Sequence, residues 1–526
     1  MQCKVFSGQK KLLIAFGVIL ATEVLFFALL KDFIISLFTD RGYSFETAFS
    51  IFRYAFVLIA AVTVLIAVAA RSISAGDIVY ERFFAFLVIG FGVVFCFLIT
   101  PFSPPDELTH YLATFRLSNK ILLKDPDIAE SALLNYSIFS QNNNTISSLA
   151  QMLDAMRAPF AEGYPVSIAT RSAELSHNYF LEYLMPALGL SFARLMKLNF
   201  MWSFFFGRLF NLAFFSMCVY IAVKRVPKYK ILYGMTALLP MALQQAASYS
   251  YDSFINGLSL VLTASLLKMM MDDRRITWED YLFVLVPFVL VTPAKGVFGF
   301  IIMPVVIVLS LLIPSVHFKG TKKAKALAVA GLVFASLSIF WLFRTPTTVG
   351  NTFENENLAG ILQQTSAAGN NTLFSLLKVS MVFFRTFQFS FTEWLCQATG
   401  SILSGLSLAL PTCVPPCFLM VLFLSVLNEQ NEPCIIPVKS RFLILLSALF
   451  SVFIVMGALY LTWTDSASTT IAGIQGRYFF PIFPLFFISV SNQTIIVKHS
   501  INKILLFSFL LIEVFCVLFI LSFTIL

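Results

Sequence analysis

The chain has 526 residues, 59% of them hydrophobic and 12% charged, with a mean hydropathy of +0.86. This excludes a soluble domain, which needs more polar surface to cover its core. The net charge of +9 does not point to nucleic acid, because the basic residues cluster in short loops between apolar runs, the pattern of a polytopic membrane protein.

Apolar runs of about 17–25 residues, enough to cross a hydrocarbon core, recur along the whole length. Lys4, Lys10 and Lys11 precede the first. A signal peptide is one reading of that start, but the run is too long and lacks a small-residue cleavage site, so a retained anchor helix is expected. Spans are expected near 12–30, 50–70 and 83–99, followed by a polar stretch over 100–200. Further spans are expected near 201–222, 231–248, 253–271, 280–292, 296–314 and 326–344. A second polar stretch, 345–373, leads to an ambiguous apolar segment at 374–395, and the last spans fall near 402–427, 442–463, 478–496 and 504–525. The fold class is therefore an all-α integral membrane protein of about 13 transmembrane helices with a large first external loop. Residues 1–82 form two leading helices and 83–526 the main transmembrane domain, with external segments at 100–200 and 345–400.

Charge gives an independent reading of topology. With the N-terminus cytoplasmic, Lys224, Arg225, Lys228, Lys230, Arg274, Arg275, Lys319, Lys322, Lys323, Lys325, Lys439, Arg441, Lys498 and Lys503 all fall inside. That alternation requires 280–314 to be two helices, broken around Pro293. The eight cysteines lack paired CxxC spacing and there are only four histidines. Buried thiols are therefore expected rather than a zinc site.

Ser103-Pro104-Pro105-Asp106 has the form of a helix start: a Ser cap, a Pro at the first helical position and an acid three residues after the cap. Glu107 to Lys124 then reads as an amphipathic interfacial helix through Leu108, Leu112, Phe115, Leu122 and Leu123. Residues 181–198 read likewise, with Leu181, Leu184, Met185, Leu188, Phe192 and Leu195 on one face. Mid-span, Glu23 is expected to make a helix–helix hydrogen bond.

The external side collects Asp106, Glu107, His110, Arg116, Arg208, Asp252, Lys295, Gln475, Arg477 and Tyr478 from five parts of the chain. Charged groups at or within spans are costly, which marks them as functional. Each has a plainer reading: Asp106 closes a capping box, Asp252 caps a helix starting at Ser253, Arg208 snorkels to headgroups and Arg477 anchors the surface. A carboxylate with a histidine one turn later suits a general base for a hydroxyl, and the cations suit a phosphate. No GxxxxGK[ST], G-x-S-x-G or H-E-x-x-H pattern appears. A transfer reaction outside the membrane has no cytosolic nucleotide sugar, so it needs a lipid-linked donor.

Pro104-Pro105-Asp106-Glu107 with His110 and Arg116, Pro186-Ala187-Leu188-Gly189, and Gly207-Arg208-Leu209-Phe210-Asn211 together resemble a bacterial family of polytopic membrane proteins of formerly unknown function. Pro240-Met241 with Gln244, Asp252, Lys295 and Gln475-Gly476-Arg477-Tyr478-Phe479 continue the resemblance, which runs from about 100 to 480. That family looks like a branch of the GT-C glycosyltransferases. The resemblance implies a first external loop with an acidic catalytic residue, a polyprenyl-phosphate sugar donor and inverting transfer. Asp106, with Glu107 as the alternative, takes the catalytic position. His110, Arg116, Arg208, Asp252, Lys295, Gln475, Arg477 and Tyr478 take substrate contacts. The chain departs from the family at Ser176-His177-Asn178-Tyr179, where a Pro-Pro-x-Tyr-like block is usual, and in its two leading helices.

The expected activity is transfer of a sugar to a cell-envelope polysaccharide or glycolipid at the outer face of the bacterial cytoplasmic membrane. No cofactor is expected to be required, and with one compact acidic pair no obligatory divalent metal is predicted, although metal use varies among the GT-C enzymes it resembles. The rival readings are a transporter or flippase of a lipid-linked sugar, and a non-catalytic subunit of an envelope-polymer assembly. Transporters often show repeated halves and ionisable groups near mid-membrane, whereas here no repeat is evident and the polar set sits on one side, which favours the enzyme.

Overall fold

The computed structural model describes residues 2–76, 78–135, 148–168, 180–272, 276–294, 298–313, 330–331, 372–405, 407–429, 436–465, 468–491, 495–497 and 500–525. The apolar runs form helices because a backbone out of water must satisfy its own polar groups. The first three are α1 (Gln2–Thr39), α2 (Phe45–Ala75) and α3 (Tyr80–Leu98). Ser44 starts α2 by accepting the Thr47 N–H, and Gly76 ends it in a left-handed conformation at φ 88°. Glu23 of α1 accepts a hydrogen bond from Thr63 of α2 at 2.5 Å, the helix–helix contact expected of it.

A polar layer follows. It holds α4 (Glu107–Ile121), α5 (Ser131–Leu134), α6 (Leu149–Arg157) and α7 (Leu184–Leu195), with a small antiparallel ribbon pairing β1 (Ile128–Glu130) to β2 (Pro165–Ser167). As the periodicity predicts, α4 buries Leu108, Leu112 and Phe115, but it ends at Ile121, short of the expected Lys124, and Leu123 beyond it is exposed. On α7 the apolar face expected of an interfacial helix points outward: Leu188, Phe192 and Leu195 are exposed, while Pro186, Ala187, Gly189 and Ala193 pack inward. Small residues let α7 approach its neighbour closely: a Cβ on Gly189 would lie 2.4 Å from the Phe206 carbonyl oxygen. Arg194 ties α7 to α4 by donating to Ser118 Oγ and Asn119 Oδ1, both at 2.8 Å.

The main bundle comprises α8 (Phe200–Arg225), α9 (Lys230–Ala237), α10 (Pro240–Ala246), α11 (Asp252–Met271), α12 (Trp278–Val291) and α13 (Phe298–Leu312). It continues with α14 (Thr372–Thr399), α15 (Val414–Leu424), α16 (Val438–Thr462), α17 (Phe483–Val490) and α18 (Asn502–Ile525). Among the described residues seven helices, α1, α2, α3, α8, α11, α16 and α18, are long and apolar enough to cross a membrane. Residues 280–314 do divide into two helices, α12 and α13. Three expected spans are broken instead. Residues 231–248 become α9 and α10, parted before Pro240. Residues 478–496 become a 3₁₀ turn (Gly476–Ile482) and α17, with Pro481 and Pro484 at the join. Residues 402–427 become a hairpin of β3 (Ile402–Leu403) and β4 (Leu408–Ala409) followed by α15, whose first turn holds Pro415 and Pro416. Proline removes a helix donor and clashes with the preceding turn, which explains all three breaks. The ambiguous 374–395 segment is one continuous helix, α14. Apart from residues 330–331, the expected span at 326–344 and the polar stretch at 345–371 lie outside the described residues. Cys96, Cys218 and Cys516 are buried as expected, whereas Cys413 and Cys417 are exposed.

One end of the bundle gathers basic residues. Asp280 forms a capping box with Thr277 at the start of α12. Its Oδ1 receives Arg225 at 2.6 Å and Lys268 at 2.8 Å. Lys230 pairs with Glu81 at 3.8 Å, and Lys503 donates to the Ser74 carbonyl. The parallel pair β5 (Asn428–Glu429) and β6 (Ile496–Val497) joins two further loops. From Lys268 back to Asp252, α11 rises roughly 24 Å to the opposite end.

Asp280→Asn keeps the capping geometry but leaves Arg225 and Lys268 without their carboxylate. It should cost about 3 kcal/mol, whereas Lys268→Met, at a position one-third exposed, should cost less than about 1 kcal/mol. Thermal denaturation of the two purified variants in detergent checks the difference.

Candidate functional site

The end opposite the basic cluster is built around the turn after α3. Ser103 does not cap a helix there: its hydroxyl donates to the Thr100 carbonyl at 2.7 Å, and α4 begins four residues later at Glu107. The expected capping box is therefore absent, and Asp106 makes no side-chain cap bond. Phe102 and Asp106 both adopt left-handed backbone, at φ 63° and 59°. Such conformations cost about 1–3 kcal/mol each outside glycine and persist only where surrounding contacts enforce them.

The enforcing contact is Glu107. Its side chain turns inward, is 1% exposed and accepts four hydrogen bonds. Oε1 receives Arg208 Nε at 2.9 Å and the Tyr249 N–H at 3.0 Å. Oε2 receives Arg208 Nη2 at 2.6 Å and the Phe102 N–H at 2.8 Å. Arg208, with no exposed surface, places its other donors on the carbonyls of Cys96, Ile99 and Thr100. All five guanidinium N–H groups and all four carboxylate lone-pair positions are thereby used. Two expectations are corrected. Glu107 is not placed to act as a base, and Arg208 neither snorkels nor has a donor left for a phosphate.

Asp106 is placed in the opposite way. Its side chain is 53% exposed, and Oδ2 lies 3.6 Å from Arg477 Nη2. Arg477 is 8% exposed and sits at the start of the 3₁₀ turn, with Nη1 3.7 Å from Asp252 Oδ2. Both distances exceed a hydrogen bond, and Arg477 Nε has no hydrogen-bond partner. Asp252 is the first residue of α11 rather than its cap, and it accepts from Gln245 Nε2 at 3.1 Å. Gln245 Oε1 in turn accepts from Asn256 at 2.8 Å. One turn beyond Arg208, Asn211 donates to the carbonyls of Ser248 and Ser250 and accepts from Ser253, which fixes the approach to Asp252.

Two further glutamines lie here. Gln397, at the end of α14, accepts the Gly476 N–H at 2.8 Å. Gly476 is needed at that point, since a Cβ would lie 2.1 Å from the Trp394 carbonyl oxygen. Gln244 accepts the Ser404 N–H at 2.9 Å, and the Ser404 hydroxyl meets that of Ser103 at 3.2 Å. The β3–β4 hairpin thus reaches the Asp106 turn. A narrow crevice with room for about one water lies between them, lined by Pro105, Met241, Gln244, Leu403, Gln475 and Arg477, among others.

The remaining expected residues divide. His110 is buried, with Nδ1 2.9 Å from the Tyr183 hydroxyl and its ring edge-on to Tyr251 at 4.4 Å. Burial, with Glu182, Tyr251, Asp252 and Asp106 nearby, pushes the Tyr183 phenol well above its ordinary value and keeps it protonated. Gln475 borders the cleft, and Tyr478 lies beneath the Arg477 guanidinium at 5.5 Å. Arg116 is not in the group: it pairs with Asp127 at 2.9 Å, roughly 15 Å along α4 from Asp106. Lys295 lies outside the described residues. Among the described residues no three His, Cys, Asp or Glu side chains group as metal ligands. Sequence reasoning passed over Gln397 and Tyr183. A carboxamide near the end of an apolar helix was an available signal for the first; nothing marked the second.

A family model described as Predicted membrane protein (DUF2142) matches residues 86–486, from within α3 to within α17. Neither the curated proteins nor the solved structures yield a match.

Glu107→Gln removes the charge that Arg208 requires and should destabilise the protein by about 3–5 kcal/mol. Asp106→Asn, at a half-exposed side chain, should change stability by less than about 0.5 kcal/mol. Parallel thermal melts of the two neighbours test which carboxylate is structural.

Proposed function

The chain belongs to the DUF2142 family of predicted membrane proteins, and we propose that it is an inverting glycosyltransferase that uses a polyprenyl-phosphate sugar donor. The observation that carries the reading is the contrast within one turn of chain. Glu107 is locked into the fold, and Asp106 beside it is half-exposed, 3.6 Å from an arginine that lines a narrow crevice. A base for a hydroxyl and a cation for a phosphate, a few ångströms apart, are what this transfer requires.

In this mechanism Asp106 takes the proton from the acceptor hydroxyl as its oxygen attacks the anomeric carbon. The new glycosidic bond forms while the bond from that carbon to the phosphate oxygen breaks on the opposite face. The polyprenyl phosphate leaves with the bonding electron pair, and Arg477 stabilises its charge. Asp252 holds Arg477 from the other side, with Gln245 and Asn256 fixing Asp252 in turn. His110 and Tyr183 support the helix that carries Asp106, and Gln475 and Tyr478 border the donor.

The rest of the reading concerns placement. We take the chain to cross the bacterial cytoplasmic membrane about 13 times with its N-terminus in the cytoplasm. The basic end then faces inward and the Asp106 end outward, where envelope glycans or glycolipids are the acceptors.

Asp106→Asn should lower transfer about 10²–10⁴-fold without loss of folding, and Arg477→Gln about 10²–10³-fold. The assay is purified protein with defined polyprenyl-phosphate sugars and candidate acceptors, with product identified by mass spectrometry. Near-normal turnover by the Asp106 variant would sink the assignment. Movement of the lipid-linked sugar across reconstituted vesicles without transfer would make the protein a transporter.

A further inference from the structure

A further buried arginine lies far from the candidate site, at the start of α16. The last turn of that helix leads to Trp463, which packs against Gly473 just before Gln475. Its first turn is roughly 36 Å away by helix rise. Arg441 is the fourth residue of α16 and is 9% exposed. Its Nε has no hydrogen-bond partner, and among the described residues its guanidinium makes no ion pair. The elements packed most closely on α16, namely α13, α17 and the 3₁₀ turn before α17, contain no Asp or Glu. A buried cation left in this way carries its desolvation cost without compensation, which calls for an anion from outside the chain.

The first turn of α16 offers the other half of an anion site. Pro437 precedes the helix and makes no side-chain cap. The N–H groups of the first turn therefore have no acceptor within the helix or its cap, and the positive end of the helix dipole is left open. Helical side chains lean toward the N-terminus of their helix, so Arg441 runs back along this turn toward those groups. Lys439 adds an exposed ammonium. Ser310, near the end of α13, keeps a buried hydroxyl without a partner. A guanidinium beside open backbone donors is an arrangement that holds a phosphate oxyanion. Val438, Phe442 and Leu446 are exposed and spaced by four residues, which sets an apolar, lipid-facing stripe beside the opening.

We propose that the start of α16 is a second anion site, which binds a phosphate oxyanion through the Arg441 guanidinium and the first-turn N–H groups. An anionic phospholipid headgroup and free phosphate share this chemistry. The site is separate from the Asp106–Arg477 crevice and does not depend on the glycosyltransferase reading. Its role is to neutralise a charge that the fold buries and leaves unpaired, so that the stability of the bundle depends on the anion.

The test is thermal denaturation of the purified full-length protein and its Arg441→Met variant in neutral detergent, with and without phosphatidylglycerol. Without lipid the variant should melt no lower than the wild type, because an apolar side chain replaces an unpaired buried charge. At saturating phosphatidylglycerol the wild type should gain about 2–3 °C and the variant less than about 1 °C. Phosphatidylcholine, which has no net charge, should stabilise neither. The same gain from inorganic phosphate without lipid assigns the site to free phosphate, and a gain from phosphatidylglycerol alone assigns it to a headgroup. Lys439→Gln, at an exposed position that leaves folding intact, should raise the half-effective phosphatidylglycerol concentration about fivefold. Equal gains in wild type and Arg441→Met overturn the proposal. So does an equal gain from phosphatidylcholine, an unchanged midpoint in Lys439→Gln, or an Arg441→Met variant that melts lower by the same amount with and without lipid. A gain that is lost in Arg477→Gln and kept in Arg441→Met also overturns it, by placing the anion at the other arginine.

Discussion

Glu107 and Arg208 hold together the parts of the chain that make the site. They are 101 residues apart in sequence and have almost no exposed surface. Two charges in such a place are tolerable only if their geometry is good and every remaining polar position is met. Here the four acceptor positions of the carboxylate and the five donors of the guanidinium are all matched. The partners include the end of α3, the turn after it and the Tyr249 backbone before α11. The pair therefore sets the relative positions of α3, α4, α8 and α11. Its effect on Asp106 is direct. With Glu107 drawn inward and Phe102 and Asp106 in left-handed backbone, the Asp106 carboxylate is turned outward.

The same comparison explains why two arginines of similar burial have different roles. Arg208 is held at 2.6–2.9 Å by Glu107, with backbone carbonyls taking its remaining donors. Arg477 is held at 3.6 and 3.7 Å by two carboxylates, with Nε unpartnered. In the first arrangement complete pairing offsets the cost of desolvation and leaves nothing to recruit a ligand. The second keeps a buried cation whose hydrogen-bonding capacity is largely unfilled, which favours an anion with several oxygens.

The membrane class and most helices were legible in the sequence, because apolar length follows from the bilayer itself. The separate helices α12 and α13 were legible because the charge alternation demanded a turn between them. Asp106, Asp252 and Arg477 were picked out as one group, and the fold does bring them together. Which of two adjacent carboxylates is available was not legible. That depends on a left-handed turn and on a partner about a hundred residues away, and neither leaves a local pattern. Arg116 was grouped with them because its position on α4 says nothing of the β1–β2 ribbon that supplies Asp127. The outward apolar face of α7 was legible as that of an interfacial helix, but the small residues that pack beneath it were not, since periodicity identifies a face and not what it meets.

The prolines that break three of the expected spans belong to the same arrangement as the charged pair. Because α10, the hairpin before α15 and the 3₁₀ turn before α17 end or begin at one level, their irregular backbone collects around the cleft. Irregular backbone at membrane depth is tolerated where it is buried in protein or lines a cavity. Here it is satisfied by side chains: Gln244 takes the Ser404 N–H, Gln397 that of Gly476, and Asn211 donates to the Ser248 and Ser250 carbonyls. These carboxamides are the local equivalent of the helix bonds that the prolines remove. Straight helices in their place would have met their own backbone needs and filled the space that the cleft occupies. The polar side chains in this region are thus needed first to make a broken bundle stable. The cleft beside Asp106 and Arg477 is the space that the breaks leave.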